Sequence, residues 1–153
     1  MDWRFFEEKD LFWILKVSKD MYKESYLEEK GVEFNEDKVT QYFNFAVKKP
    51  DGFAIIAEDN DKPVGFLISD IAEYGIGHQK IARNLELYVV PEARGGTVGL
   101  MMMRNFIKWA EMNDATEIVF APTANKQLNK FDAFAKRLGM KATAKVYKRF
   151  KHE

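Results

Sequence analysis

The sequence of 153 residues contains no cysteine. This absence excludes a disulfide framework, a zinc site built from thiolates and a covalent mechanism through a thiol. Its two histidines, His78 and His152, have no acid or second histidine at ligand spacing, so we expect no metal site. Basic residues are spread out rather than interleaved with aromatic residues in a stripe, which argues against nucleic acid as a partner.

Long apolar runs are also missing from the chain. No stretch approaches the roughly 20 apolar residues that cross a bilayer, so we expect no membrane partner. Residues 1–7 lack the basic region and apolar run of a signal peptide. No repeat, linker or low-complexity segment interrupts the sequence, of which 46% is hydrophobic. We therefore expect a cytoplasmic protein in which residues 1–153 form a single domain.

The charged side chains balance overall but are unevenly distributed. Residues 1–78 carry ten basic and seventeen acidic side chains, whereas residues 79–153 carry fourteen and seven. The basic half suits a polyanionic ligand, and the acidic half suits a cationic amine. The alternative is that both halves are solvated faces that attract each other in the folded chain, and the sequence favours neither.

The most informative segment is residues 91–100, PEARGGTVGL, which follows an apolar strand at 85–90 and opens a long apolar helix. A glycine-bearing turn at a helix start leaves unpaired N–H groups, which attract phosphate together with the positive end of the helix dipole. Gly95 and Gly96 allow a close approach of the backbone, and Arg94 adds a fixed positive charge. The plain alternative is a strand-to-helix turn that merely needs glycine.

Two common phosphate-binding motifs do not fit this turn. A P-loop needs a lysine followed by serine or threonine after its second glycine, whereas Gly99 here is followed by Leu100 and Met101. A dinucleotide fingerprint needs its three glycines in the first strand-helix unit, and this turn comes late in the chain. The turn is therefore suited to another phosphate-bearing ligand.

Hydrophobic periodicity and turn residues predict the remaining elements. The predicted helices are 8–24, 36–47, 97–112 and 126–138, and the predicted strands are 53–58, 63–72, 80–90, 116–121 and 141–150. The strand at 116–121 should run parallel to its predecessor, because a helix crosses over between them. The first two strands should form a hairpin.

At these residues the chain resembles the GCN5-related N-acetyltransferase (GNAT) superfamily. Members have a strand that ends at a proline and an Arg/Gln-x-x-Gly-x-Gly/Ala turn that holds the pyrophosphate of coenzyme A. Arg94 matches the first residue of that motif, Gly99 matches its last glycine, and Leu138-Gly139-Met140 stands where members often have Leu-Gly-Phe. The Pro-Glu-x-Arg-Gly-Gly wording is similar to that of compact GNATs in phage genomes. The resemblance implies an α/β fold with a mixed, mainly antiparallel central sheet flanked by helices on both faces.

The resemblance also implies acetyl-CoA as a co-substrate. The residues at the family's cofactor-binding positions are Tyr88, Val89, Val90, Arg94, Gly95, Gly96, Thr97, Val98, Gly99, Leu100 and Asn125. The backbone of the strand residues would pair with the pantetheine arm, and the turn would hold the pyrophosphate. Thr97 replaces a glycine of the family's turn, where a threonine can cap the helix and still offer its N–H and hydroxyl. Without the resemblance, Asn125 is more simply a helix cap.

Direct acetyl transfer needs a neutral amine, and a lysine-like amine with a pKa near ~10.4 is charged at neutral pH. A general base must remove its proton, and Glu86 is the candidate because many family members have an acid in this strand. By the two-residue period of a strand, Glu86 should share a face with Asn84 and Tyr88. The alternative is a structural carboxylate paired with Arg83 or Lys80.

Ala135 stands where many family members have a tyrosine that protonates the departing thiolate. Tyr147 or Tyr88 could take over that role, as could water. The resemblance thus implies an N-acetyltransferase that acts on a primary amine of a small molecule or a protein. The alternatives are a non-catalytic module of the same fold that binds coenzyme A or a protein partner, and an enzyme that uses another acyl-CoA. Because GNATs often dimerise, a homodimer stays open.

Overall fold

The computed structural model describes residues 1–122, 128–151 and 153. Its strands are β1 Asp2–Phe5, β2 Gly52–Asp59, β3 Lys62–Glu73, β4 Lys80–Val89 and β5 Ala115–Phe120, and its helices are α1 Leu11–Glu24, α2 Glu36–Lys48, α3 Val98–Met112 and α4 Leu128–Arg137. The described strands form one sheet in the order β1-β2-β3-β4-β5. Neighbouring strands are antiparallel from β1 to β4, whereas β5 is parallel to β4, as the crossover helix predicts.

Each face of the sheet is covered by helices. Alternation along the strands directs Ile56, Phe66 and Ile68 toward a core cluster shared with α1 and α2. The intervening residues, such as Ile55 and Leu67, face a second cluster built with α3 and with half-buried residues of α4. Full burial of each such side chain contributes about 1.5–3 kcal/mol. The predicted mixed, mainly antiparallel sheet with helices on both faces is confirmed.

The hairpin between β2 and β3 closes through a two-residue turn with a left-handed backbone. Asn60 and Asp61 have φ angles of 49° and 60°. Asparagine and aspartate tolerate this conformation, and its twist matches that of the flanking strands. The predicted hairpin is therefore correct, and a bulge at Val64, just beyond the turn, shifts the register of the rest of the pair by one residue.

A bulge in β4 changes which side chains share a face of the sheet. Ile68 on β3 is opposite Glu86, but the next residue, Ser69, is opposite Asn84, so Leu85 is an extra residue in β4. The alternation reverses at this point. Glu86 therefore lies on the face covered by α1 and α2 while Asn84 lies on the other, and the prediction that the two share a face was wrong. The Asn84 side chain spans the bulge by donating to the Glu86 carbonyl oxygen at 3.0 Å.

The strand predicted at 141–150 does not form. These residues have no regular secondary structure, and Val146 and Tyr147 are 70% and 88% exposed. The residues that alternate with charged ones in this segment include two alanines, which bury little apolar surface against a sheet edge. The chain end instead contacts the region after α1, where the ring of Phe150 packs edge-on against Tyr26. None of the described helices combines the length and apolar character needed to span a membrane.

Gly65 provides a test of how closely β3 packs beneath α3. A Cβ at this position would lie 2.9 Å from the Tyr88 carbonyl oxygen and 3.0 Å from the terminal methyl group of Met102. We expect Gly65→Ala to lower the free energy of unfolding by roughly 1–3 kcal/mol, because the added methyl overpacks this contact. Urea denaturation measures the change.

The matched control is Gly75→Ala, where an added Cβ meets nothing within 4 Å. It should unfold at a urea concentration close to that of the wild type. An equal loss of stability in both alanine variants would contradict the packing argument.

Candidate active site

The turn after β4 presents a row of backbone amides. A short 3-10 turn, Pro91–Ala93, leads into Gly95, whose φ of 81° lies in the left-handed region that glycine adopts without strain. The Met101 N–H donates to the Thr97 carbonyl at 2.8 Å, so the amides of residues 95–100 precede the hydrogen-bonded part of α3. Such a helix start attracts anions. Thr97 occupies the N-cap position, but its side chain makes no capping hydrogen bond, which contradicts the predicted cap.

A basic cavity of about 380 Å³ adjoins this turn. It is lined by Val89, Ala93, Arg94, Gly95, Gly96, Gly99, Leu100, Lys130, Ala133, Phe134 and Arg137. Lys130 and Arg137 come from α4, and with Arg94 they place three cationic side chains around one space. Sequence reasoning missed both α4 residues, although their spacing of seven puts them on one face of a helix. A polyanion fits this charge pattern.

Arg94 is held between the end of β4 and α1. Its Nη1 and Nη2 atoms lie 2.8 Å and 2.9 Å from the two carboxylate oxygens of Glu24, and its Nε donates to the Val89 carbonyl at 2.8 Å. The Tyr88 hydroxyl donates to the same carboxylate at 2.7 Å. Burial acts to raise the pKa of Glu24, but the hydrogen bonds from Arg94 and Tyr88 outweigh it and hold the pKa below its usual value. Glu24 therefore stays ionised and paired with Arg94, the residue that the sequence predicts to bind phosphate.

The edge of β4 next to β5 is open along its last residues. Pairing with β5 ends at Asn84, opposite Phe120. The Val90 N–H donates to the Val64 carbonyl on β3 at 3.0 Å, so the alternation of the antiparallel ladder turns the polar groups of Val89 toward the open edge. The Val89 N–H is therefore directed to where an extended ligand could lie, whereas the Val89 carbonyl already accepts from the Arg94 Nε. Tyr88 and Val90 direct theirs to β3.

The Glu86 side chain lies on the face of the sheet opposite to α3. It lines a second cavity of about 250 Å³ between α1, α2 and the sheet. Burial raises the pKa of the Glu86 carboxyl to about 7. Neither cation proposed as its structural partner reaches it. Arg83 donates to Asp70 at 2.8 Å and 2.6 Å, and Lys80 donates to the Asn113 carbonyl at 3.2 Å.

Tyr42 of α2 also lines this second cavity and was missed from the sequence. Its pKa is raised by burial and by the nearby charge of Glu86, so its hydroxyl keeps its proton and can donate a hydrogen bond. The only sequence signal for Tyr42 is its place on the apolar side of a predicted helix. That signal does not separate a site residue from a core residue.

The remaining predicted site residues are not all brought together. The side chain of Val98 is buried in the core, so this residue can offer a ligand only its backbone. Tyr147 is 88% exposed on the tail and is absent from the lining of both cavities. Asn125 lies outside the described residues. Ala135 is half-buried in α4, and the neighbouring Phe134 ring forms part of the basic cavity.

Comparisons with known proteins identify the family and the fold of the chain. A sequence profile described as "Acetyltransferase (GNAT) family" matches residues 19–140. No curated protein sequence matches the chain significantly.

Several solved structures share the fold at low sequence identity. A mutant of the BH1408 protein from Bacillus halodurans has a TM-score of 0.81 at 16% identity, over 97% of this chain and 98% of that chain. Aminoglycoside 6'-N-acetyltransferase AAC(6')-IG from Acinetobacter haemolyticus has a TM-score of 0.76 at 19% identity, over 99% and 98%. A predicted acetyltransferase with acetyl-CoA from Clostridium acetobutylicum has a TM-score of 0.71 at 19% identity, over 97% and 94%.

The raised pKa of Glu86 predicts a pH-dependent effect on stability. The folded-state pKa of about 7 is above the ordinary value of 4.5, so the folded protein retains this proton to a higher pH than the unfolded chain does. Ionisation of Glu86 therefore lowers the free energy of unfolding as pH rises through this window, by up to about 3 kcal/mol at pH ~8. We expect Glu86→Gln to be more stable than the wild type at pH ~8 and to lose this advantage near pH ~4.

Urea denaturation at both pH values measures the difference. Glu111→Gln removes an exposed carboxylate from α3 and should show no such pH-dependent gain. A Glu86→Gln variant that is no more stable than the wild type at the higher pH would contradict the burial of an unpaired charge.

Proposed function

The chain belongs to the acetyltransferase (GNAT) family, and from that premise we propose that it transfers an acetyl group from acetyl-CoA to a primary amine, with Glu86 as general base. The observation that carries the proposal is the half-buried Glu86 carboxyl, which receives neither of its expected cations and lines a cavity suited to a substrate. A carboxyl group whose pKa is raised to about 7 can both accept and release a proton at physiological pH, as a general base must.

The basic cavity supports the choice of co-substrate. The amides of residues 95–100 and the cations Arg94, Lys130 and Arg137 would hold the phosphates of acetyl-CoA. The open edge at Val89 would pair with the extended pantetheine arm, which is a form of strand addition. Bound acetyl-CoA supplies a thioester whose carbonyl carbon accepts the amine nitrogen. The Clostridium acetobutylicum protein of the same fold was solved with acetyl-CoA, which is consistent with this assignment.

The proposed reaction follows from the protonation states of the groups involved. The amine binds as its ammonium ion, and ionised Glu86 removes a proton so that the nitrogen lone pair can form the C–N bond. The Val89 N–H at the open edge is suited to stabilise the negative charge that develops on the thioester oxygen. The C–S bond then breaks, and the thiolate is a good leaving group because its thiol has a pKa near ~8.5.

The nitrogen carries a surplus proton once it has formed the C–N bond. We propose that a water molecule accepts this proton and passes one to the departing thiolate, which leaves the neutral amide and the thiol. Tyr88 donates its hydroxyl to Glu24, and burial together with that hydrogen bond raises the pKa of the phenol. Tyr147, the other predicted donor, is on the exposed tail. Proton transfer through water does not need a hydroxyl-bearing side chain at the position of Ala135, where many family members have a tyrosine.

The cofactor assignment predicts a clear change in affinity when Arg94 is removed. Calorimetric titration with acetyl-CoA and with free coenzyme A should show saturable binding to the wild type. Arg94→Ala should bind about 10–100-fold more weakly, because a charge-assisted hydrogen bond to phosphate is worth about 1.5–3 kcal/mol. Glu24→Gln should bind a few-fold more tightly, because its carboxylate no longer competes for Arg94.

Arg104→Ala removes an exposed cation of α3 outside the lining of the basic cavity and should leave the affinity unchanged. Equal affinities of the Arg94 and Arg104 variants would refute the cofactor site. An absence of binding at millimolar ligand would overturn the enzyme assignment itself.

Acetyl transfer predicts that Glu86→Gln loses turnover but keeps acetyl-CoA affinity. The value of kcat should fall by about 10²–10⁴-fold, since a positioned base contributes that much. The wild-type rate should rise as pH increases through about 7, where Glu86 ionises, and the variant should lose this dependence.

Thiol release from acetyl-CoA across a pH series measures both effects, with Glu111→Gln as the control that keeps the wild-type profile. The rival assignment, a non-catalytic module that binds coenzyme A, predicts intact binding without transfer to any amine. Unchanged turnover in Glu86→Gln would rule out Glu86 as the base.

A further inference from the structure

The second cavity, which Glu86 lines, also carries information about the acceptor, and this inference rests on the proposed function. Its volume of about 250 Å³ lies below the range of about 300–1,000 Å³ that is usual for drug-sized ligands. An acceptor that fills it is therefore compact.

The walls of the cavity are apolar over most of their surface. Ile14, Met21, Phe34, Val39, Phe43 and Ile68 line it, and each is buried or half-buried. The rings of Tyr22 and Phe34 lie 5.6 Å apart on one side. The Tyr22 hydroxyl donates to the Val32 carbonyl at 2.7 Å, so its polar end is already satisfied. Walls of this kind bind rings and hydrocarbon chains.

The polar groups of the lining are concentrated at two places. Glu33, Asn35, Lys38 and Tyr42 are exposed and form the rim, and Asn35 is already engaged because it accepts the Lys38 amide at 2.9 Å. Away from the rim, Glu86 is the one carboxylate among the described lining residues, and the hydroxyl groups near it are those of Ser18, Tyr22 and Tyr42, whose pKa responds to the Glu86 charge. Inside the cavity a cationic group can therefore be neutralised beside Glu86, whereas the other carboxylate of the lining, Glu33, is at the exposed rim.

We propose that the acceptor is a primary amine carried on a compact apolar body with one aromatic ring, of the size of 2-phenylethylamine. The ammonium group lies beside Glu86, and the ring occupies the space bordered by Tyr22, Phe34 and Phe43. An amino sugar would bury several hydroxyl groups against side chains that cannot hydrogen-bond them. A polyamine would bring a second charge against the same apolar walls.

The acceptor series that tests this proposal is 2-phenylethylamine, spermidine, neamine and an alanine-initiated hexapeptide, with acetyl-CoA as donor. Thiol release gives kcat/KM for each amine. We expect 2-phenylethylamine to exceed the other acceptors at least 100-fold. Preferred acetylation of spermidine, neamine or the peptide would overturn the acceptor class while leaving acetyl transfer intact.

Two variants of Phe34 test whether the acceptor binds in the second cavity. Phe34→Ala should lower kcat/KM for 2-phenylethylamine at least tenfold, mainly by raising KM, and Phe34→Leu should have a smaller effect because it keeps the wall apolar. Phe45→Ala is the matched control, since Phe45 is 58% exposed on α2 and absent from the lining. Thermal unfolding confirms that each variant is folded. Equal KM values for the Phe34 and Phe45 variants would contradict the proposed binding mode.

Calorimetric titration with 2-phenylethylamine in the presence of coenzyme A distinguishes a failure of the proposed acceptor class from a failure of proposed acetyl transfer. Binding that is weakened by Phe34→Ala, without turnover of any amine, would support the ligand class of the cavity and overturn acetyl transfer. An absence of both binding and turnover for 2-phenylethylamine, with turnover of another amine, would overturn the inference alone.

Discussion

The extra residue in β4 decides where the polar groups of this strand lie. Arg83 and Glu86 are three residues apart, so a regular strand would direct them to opposite faces of the sheet. The bulge at Leu85 brings both to the face covered by α1 and α2. There Asp70 forms ion pairs with the Arg83 guanidinium and with Lys49. The Glu86 carboxyl, without Arg83 as a partner, lines a mainly apolar cavity. The unusual pKa of Glu86 is thus a consequence of strand register as much as of residue type.

The two cavities are lined by different halves of the chain, and these halves differ in net charge. The basic cavity is lined by residues between 89 and 137, from the half of the sequence with the net positive charge. The cavity at Glu86 is lined by residues between 14 and 86, nearly all from the acidic half. The sequence left open whether this split reflects ligand binding or general solvation. Arg94, Lys130 and Arg137 surround the basic cavity, whereas Glu33, Glu86 and one cation, Lys38, border the other, so the charge contrast is clear at the basic cavity and weak at the second.

The fold was predictable from the sequence wherever a pattern is local. The helices at 8–24 and 36–47 and the hairpin could be read from periodicity and turn residues. The four-residue β1 was missed because it is too short to show a period, and Trp3 and Phe5 on it remain substantially exposed. Asn84 was placed on the wrong face because a bulge leaves no mark in the residue types.

Site residues that depend on tertiary contacts escaped prediction for a different reason. Glu24 and Arg94 are separated by 70 positions in the chain, and nothing in the helix around Glu24 distinguishes it from a solvated acid. Tyr42 likewise gains its role only when α2 packs over Glu86. Arg94 and Glu86 were predictable because a motif and an unexpected charge in an apolar strand mark them.

The ion pair between Glu24 and Arg94 joins the end of α1 to the turn that borders the basic cavity. Glu24 is the last residue of α1, and α1 also contributes Ile14 and Met21 to the cavity at Glu86. If an anion drew Arg94 away, Glu24 would keep the Tyr88 hydroxyl as its hydrogen-bond partner, and the end of a helix that borders the other cavity would lose one of its contacts. Thermodynamic linkage makes such an effect reciprocal, so a ligand that favours one arrangement of α1 must alter the affinity of the opposite site by the same factor.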